Sequence, residues 1–331
     1  MKATIVCPTF NSEKFLHRSL QSWAEFDFPK SDYEILICDR NSSDKTKEIV
    51  EEFSKKYPHI KYIESLPRTS TQRNNGIKNA KGSVIVFFDD DSVADHNYLN
   101  TGLEFLEQHP EIGIAGGPQV DSPHDRFFAR AAGTAMSSFF GSFTMSSRYK
   151  KTKLDFDACE FNLTSANVFI RKEILDKIGG FDESLYPGED PEFFARAKLR
   201  GIKMAFNPEL AVQHSRRPDL QAFCKQHFKY GYVRVLKEKI SKSKFPANLV
   251  FFVPSLFLIY ILTLPFVFLL NKNLALPALL YAAGACVFSI EAAAYKKNWL
   301  ALPLVPFLFF AMHISYGAGF LRGLMKITKT R

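Results

Sequence analysis

An α/β fold, with a mostly parallel sheet covered by helices on both faces and followed by C-terminal transmembrane helices, is what this 331-residue sequence predicts. Three observations carry that expectation. Through residues 1–120, short runs rich in β-branched residues alternate with stretches of helical periodicity, as successive βαβ units do. Those runs end in polar, turn-forming residues, which a parallel sheet gathers at its carboxyl edge. From Pro246 onward charge almost vanishes, which marks a change of environment within one chain.

The elements follow in order. ATIVCP (3–8) is a strand, and SEKFLHRSLQSWAEF a helix with Asn11 and Ser12 as caps. YEILICD (33–39) is the second strand. SSDKTKEIVEEFSKKY opens on a serine cap and spaces Ile49, Val50 and Phe53 along one helical face. HIKYIES (59–65) is the third strand, STQRNNGIKNA a helix and SVIVFFD (83–89) the fourth strand. A helix over 96–108 leads to IGIAGG (112–117). Residues 121–160 fit no sheet pattern, but DRFFARAAGTAMSSFFGSF pairs phenylalanines at helical spacing opposite Arg126 and Arg130. That suits a helix on a membrane surface or an acceptor-side lid.

The apolar C-terminal part divides into candidate membrane segments at 246–270, 274–295 and 299–320, joined by short polar links and each about the length needed to cross ~30 Å of hydrocarbon. A basic stretch that includes Arg216, Arg217, Lys225, Lys229, Arg234, Lys237 and Lys239 precedes them, as expected of a segment facing anionic headgroups. The expected organisation is a cytoplasmic catalytic domain at 1–235, a basic linker at 236–245, a membrane region at 246–321 and a basic tail at 322–331. Glu291 and His313 are ionisable groups inside these segments and so functional candidates; the other reading of Glu291, which we favour, sets it near a helix end, reaching toward Lys296 and Lys297.

Composition excludes several classes. Apolar residues make up 46% of the chain, too many for disorder. The five cysteines are scattered, with no Cys-x-x-Cys pair, so neither a disulfide framework nor a zinc site is indicated. MKATIVCPTF runs directly into a strand without the apolar core of a signal peptide, which suits a cytoplasmic, reducing compartment. The net charge of +9 comes without a nucleic-acid recognition motif, so no nucleic-acid partner is expected.

The chemistry concentrates at strand ends. VIVFFDDDSV (84–93) takes a buried-looking strand into three adjacent carboxylates, which repel one another unless solvated or neutralised. An Asp-x-Asp spacing can hold a divalent cation through hard oxygen ligands; from that motif alone, an acidic solvated turn is the other reading. No Gly-x-Gly-x-x-Gly follows the first strand and no Gly-Lys-Ser/Thr loop is present, so dinucleotide and P-loop sites are not supported.

CPTFN, YEILICDRNSSDKT, QRNNGIKNAKGSVIVFFDDDSVADHNYL, GGFDESLYPGEDPEFFARAKLRGIK and a later QHS occur in that order. Together they resemble the family 2 glycosyltransferases, inverting enzymes of GT-A fold, over about residues 3–235. The basic stretch and membrane tail resemble polysaccharide- and glycolipid-building members. The resemblance implies a nucleotide-sugar donor, UDP- or GDP-linked, a lipid-linked or polysaccharide acceptor, Mg²⁺ or Mn²⁺, and contact with membrane lipids. It places Pro8, Thr9, Asn11 and Asp39 around the base and ribose, and Arg73 and Asn74 close to the nucleotide. Asp89, Asp90 and Asp91 form the acidic motif, with Asp91 and Asp89 as metal ligands joined by His214. Asp190, next to Glu189, matches the catalytic base; Asp190 followed by Pro191 and Glu192 also has helix-start chemistry, and both roles can hold together. The family often carries a second acid after Asp39, where this chain has Arg40, so base recognition departs from the pattern there. The alternative from another class is a catalytically silent, membrane-anchored sugar-nucleotide-binding or assembly protein.

Overall fold

The computed structural model describes residues 1–185, 188–241 and 250–329. In chain order the elements are β1 (Ala3–Thr9), α1 (Leu16–Ala24), β2 (Tyr33–Asp39), α2 (Thr46–Lys56), β3 (Ile60–Glu64), α3 (Thr69–Asn79), β4 (Val84–Phe88), β5 (Ser92–Ala94) and α4 (Tyr98–Gln108). β6 (Ile112–Gly116), β7 (Gln119–Asp121), α5 (Phe127–Ser137), α6 (Phe139–Ser142), β8 (Asn167–Arg171), α7 (Lys172–Ile178) and α8 (Glu189–Leu199) follow. β9 (Lys203–Phe206), β10 (Val212–His214), α9 (Leu220–Ser241), α10 (Val253–Leu270), α11 (Leu276–Lys296) and α12 (Val305–Lys329) complete the chain. Two compact units result: Met1–Val120 with Lys150–Ser215, and Asp121–Tyr149 with Arg216–Arg331.

The first unit is built on a seven-stranded sheet of order β3-β2-β1-β4-β8-β6-β9. β1 pairs in parallel with β2 and β4, β2 with β3, and β6 with β9, whereas β8 runs antiparallel to both β4 and β6. Side chains alternate between two cores. Val86 and Phe88 join Trp23 and Tyr98 on one face, while Ile85 and Phe87 join Phe181 and Phe193 on the other. A sheet buried on both sides accounts for its near-continuous apolar strands, and bears out helices on both faces. Cys7 and Cys38 are buried in it as small apolar side chains.

The expected serine caps are not used as caps. α1 begins at Leu16 and α2 at Thr46 without a side-chain cap. The two loops bind each other instead. Asn11 N–H donates to Ser42 Oγ at 2.8 Å, Ser43 N–H to Asn11 Oδ1 at 2.9 Å, and Ser12 N–H to Thr46 Oγ1 at 2.8 Å. Short polar side chains bond whichever backbone groups lie nearest, and parallel pairing of β1 with β2 makes the neighbouring loop nearest. Asn11 meets this geometry at φ +50°, in the left-handed region that Asn tolerates.

The second unit contains three helices long and apolar enough to cross a membrane, Val250–Leu270, Lys272–Lys296 and Val305–Lys326. The third begins later than the expected 299–320. Trp299–Ala301 is a 3₁₀ turn; Pro303 has no N–H to offer the Trp299 carbonyl, while Pro306 is favoured in the first turn of a helix. The expected domain end at residue 235 falls inside α9, which lies against α12 in this unit. Glycines explain the close fit: a Cβ on Gly231 would come 2.0 Å from the Tyr316 carbonyl oxygen, and one on Gly319 2.0 Å from that of Phe228. Backbones approach this closely only across small residues. Lys296 Nζ lies 2.8 Å from Asp121 Oδ2 and 3.0 Å from the Tyr149 carbonyl oxygen. Residues 242–245 of the basic linker, 246–249 of the first expected membrane segment, and Thr330 and Arg331 of the tail lie outside the described residues.

Candidate active site

Parallel pairing sets Pro8 beside Cys38 and Thr9 beside Asp39, so the carboxyl ends of β1 and β2 lie side by side. Asp39 is buried, and its carboxylate accepts from Ser42 N–H at 2.9 Å, Ser42 Oγ at 2.5 Å and Tyr62 OH at 2.9 Å. These bonds fix the loop that grips Asn11. Gln72, buried in α3, was not singled out by the sequence. Its Nε2 donates to the carbonyl oxygens of Thr9 at 2.7 Å and Cys38 at 2.5 Å, tying both strand ends to one helix. Arg40 lays its guanidinium 3.7 Å from the centroid of the half-exposed Phe10 ring. Where the family often has an acid, this chain has a cation–aromatic pair at the rim.

The acidic trio occupies the turn between β4 and β5. β10 pairs antiparallel with β5 and sets His214 opposite Ser92. The imidazole Nε2 is thereby 3.2 Å from Asp91 Oδ1 and 3.6 Å from Asp89 Oδ2. Nδ1 lies 3.1 Å from the Ser215 carbonyl oxygen, a contact that fixes the ring with Nε2 toward the two carboxylates. Burial and the charges of Asp91 and Asp89 push the Asp90 carboxyl up to about 7, although the Ser12 side chain and Phe10 N–H donate to it.

Arg73 connects this trio to the second acidic motif. It is 4% exposed. One guanidinium nitrogen lies 3.3 Å from Asp89 Oδ1; the other lies 3.0 Å from Glu189 Oε1 and 3.1 Å from Asp190 Oδ1. Burial works against the Arg73 charge, but Asp190, Glu189 and Asp89 outweigh it and hold its pKa above the ordinary value. Glu189 is shifted up by burial first and by Asp190 second, with Arg73 opposing. Asp190 also accepts from Ser165 N–H at 3.1 Å and from Ser165 Oγ. It sits in the first turn of α8, where the helix dipole favours a carboxylate. Gly188, at φ +123°, makes the turn into that helix, a conformation that needs glycine.

Asn74 has a different task from its neighbour. Its amide donates to the Phe181 carbonyl oxygen and Glu183 Oε1, both at 2.8 Å, and accepts from Phe181 N–H at 2.9 Å. It anchors the GGFDE loop that leads toward α8. Replacing Arg73 with Leu is expected to cost about 3–5 kcal/mol, because three carboxylates lose their shared buried counter-charge. Denaturant unfolding of the purified protein checks this, and Arg73→Lys should lose less.

The donor set fits a divalent cation. One ligand atom each from Asp89, Asp91 and His214 lies within 4.8 Å of the others, close to the spacing of ligands around a single ion. Arg73 sets one guanidinium against the carboxylates of Asp89, Glu189 and Asp190, and Asp91 adds a further carboxylate beside Asp89. A cation there would relieve the repulsion among these carboxylates.

The family sequence model described as Glycosyl transferase family 2 matches residues 4–179. The chain is 28% identical to the dolichyl N-acetyl-alpha-D-glucosaminyl phosphate 3-beta-D-2,3-diacetamido-2,3-dideoxy-beta-D-glucuronosyltransferase of Methanococcus voltae, over 99% of this chain and 98% of that protein. It is 24% identical to glycosyltransferase AglE of Haloferax volcanii, over 69% of this chain and 71% of that one. Among solved structures, the mannosyltransferase PcManGT of Pyrobaculum calidifontis, in complex with GDP-Man and Mn²⁺, superposes with a TM-score of 0.62 at 18% identity, covering 98% of this chain and 87% of that one. Residues 1–349 of Staphylococcus aureus TarS in complex with UDP give 0.53 at 18% identity, covering 98% and 92%. These likenesses establish a GT-A fold.

Proposed function

Since the chain belongs to glycosyl transferase family 2, we propose that it is an inverting, metal-dependent enzyme carrying a sugar from a UDP- or GDP-linked donor to a lipid-linked saccharide at a membrane. One observation carries this reading: a single buried guanidinium holds Asp89 of the metal cluster on one side and Asp190 on the other. The two halves of a displacement, leaving-group stabilisation and proton removal, are thus tied to one rigid group.

Asp89, Asp91 and His214 would hold the cation, and when bound it supplies positive charge to the departing diphosphate. Pro8, Thr9, Asn11 and Asp39 border the nucleotide, with the Phe10–Arg40 pair beside them. Asp190 takes the proton from the acceptor hydroxyl as its oxygen bonds to the anomeric carbon. The bond from that carbon to the phosphate oxygen breaks on the opposite face, and its electron pair leaves with the nucleoside diphosphate. Inversion follows because attack and departure occur on opposite faces. An imidazole nitrogen among the ligands favours Mn²⁺ over Mg²⁺, which prefers oxygen and retains water.

The lipid-linked acceptor is supported by the dolichyl phosphate-linked substrate in the name of the Methanococcus voltae relative, whose length this chain matches almost end to end. The three apolar helices are read as membrane spans, with the catalytic unit on the cytoplasmic side, where basic residues near spans prefer to lie. The silent-binder alternative is disfavoured because both acidic motifs are present and locked together.

Thermal unfolding of the purified protein with Mn²⁺ and a panel of nucleotide sugars tests the reading. One donor is expected to raise the Tm only when Mn²⁺ is present, by an amount equivalent to ~2.7 kcal/mol at a hundredfold excess over Kd. The same donor should release its nucleoside diphosphate on incubation. A shift without release would favour the silent binder; no shift with any donor would sink both.

A further inference from the structure

The segment between Arg130 and Arg148 contains no charged residue, and its two ends are pinned at one point. Lys296 Nζ, at the end of α11, binds the Asp121 carboxylate ahead of α5 and the carbonyl oxygen of Tyr149, the last residue of the 3₁₀ stretch Phe143–Tyr149. Burial raises the Asp121 carboxyl, but Lys296 and Arg216 outweigh it and hold it below the usual range. From this anchored mouth the chain runs down α5 and turns at α6, where Phe140 lies far along the apolar helices. Its ring centroid is 5.2 Å from that of Phe288, 5.3 Å from Tyr281 and 5.2 Å from Phe309.

Helix rise converts these neighbours into depth. Gly284, whose Cβ would meet the Phe140 ring at 3.4 Å, precedes Lys296 by twelve residues, or about 18 Å at 1.5 Å per residue. His313 follows the start of α12 by eight residues, or about 12 Å by the same rise. The turn at α6 thus lies at or beyond the first third of a ~30 Å hydrocarbon core.

Backbone at such a depth must be satisfied internally, and the groups at the turn have partners. His313 Nε2 donates to the Phe140 carbonyl oxygen at 3.0 Å while Tyr281 OH donates to His313 Nδ1 at 2.8 Å. Ser138 Oγ accepts from Phe140 N–H at 3.2 Å. Ala131, Ala132 and Ala135 present a small-residue face that packs with Ala285 and Ala301. On the outer side Phe139 and Phe143 are 48% and 36% exposed.

We propose that residues 127–149 are a re-entrant hairpin, inserted into the bilayer beside α11 and α12, with Phe139 and Phe143 in contact with lipid acyl chains and His313 positioning its tip. The inference rests on the reading of α10–α12 as membrane spans. A helix lying flat on the surface would leave the tip at headgroup level.

The test is tryptophan fluorescence of the full chain in phosphatidylcholine vesicles, in a Trp299→Phe background, where the remaining Trp23 is fully buried. Mid-chain bromines sit near the centre of the ~30 Å core and are expected to lower Phe139→Trp emission at least about two-fold, while aqueous iodide leaves it unchanged. Phe266→Trp on α10, 72% exposed, should respond to bromine in the same way. Quenching of Phe139→Trp by iodide alone, with Phe266→Trp still bromine-sensitive, would overturn the hairpin and leave the spans standing. Loss of bromine quenching at both sites would remove the spans and the hairpin with them. Adding His313→Leu should move Phe139→Trp toward iodide, whereas His313→Gln, which can still donate to the Phe140 carbonyl, should restore bromine quenching; identical behaviour of the two variants would contradict the positioning role.

Discussion

Asp91→Ala is expected to lower the transfer rate by at least about 10²–10³-fold, the range seen when a preorganised group aimed at developing negative charge is removed. Asp91 is one of two carboxylates beside His214 Nε2. Without it the cation keeps Asp89 and the imidazole, and Asp89 already shares a charge with Arg73. The fold should survive, because the variant removes one member of a self-repelling trio in which burial and neighbouring charge hold Asp90 up at about 7. The Tm of metal-free protein should therefore hold or rise, while the Mn²⁺-dependent shift with donor disappears. Steady-state rates across a Mn²⁺ titration, with unfolding curves alongside, read both effects. An unchanged Mn²⁺ dependence in Asp91→Ala would place the cation elsewhere.

Asp190→Asn should cost about 10²–10⁴-fold in the rate of transfer, the usual contribution of a positioned general base. Asn is nearly isosteric and can still accept from Arg73, but its amide cannot take the acceptor's proton. A structural cost accompanies the change. Asp190 Oδ2 accepts from Ser165 N–H, and an Asn NH₂ in that position would set two donors face to face, at about 1–3 kcal/mol. Rate and binding must therefore be read separately. The donor- and Mn²⁺-dependent Tm shift should persist, since Asp190 is not among the clustered metal-ligand residues, while kcat falls. Loss of donor binding together with rate would instead assign Asp190 a structural task in holding Arg73.

The legible parts of this protein were those written in local pattern. Strands β1, β2, β3, β4 and β6 fall within a residue or two of expectation because each is an apolar, β-branched run bounded by turn residues. β8, β9 and β10 were not read. Each is five residues or shorter, and NVFIR, KMAF and VQH carry too little periodicity to separate strand from loop. They are strands because β4, β6 and β5 offer them unpaired edges, which is a property of the assembled sheet. β10 matters most, since it carries His214 to the trio from a sequence separation that no local pattern encodes. The serine caps failed for a related reason: Ser42 Oγ meets Asn11 N–H and Asp39, and the Ser12 side chain meets Asp90.

By itself the sequence determined the α/β alternation, the acidic motifs at strand ends and three apolar helices, because hydrophobic periodicity and turn chemistry act over a few residues at a time. Only the tertiary structure decided what each charge does. It turned Arg73 inward to clamp two motifs, gave Lys296 to Asp121, stacked Arg40 on Phe10 and set His313 against the Phe140 carbonyl oxygen. A charged or polar group removed from water takes the strongest partner that the fold brings within reach, and that partner is fixed by packing over the whole unit rather than by nearness in the chain.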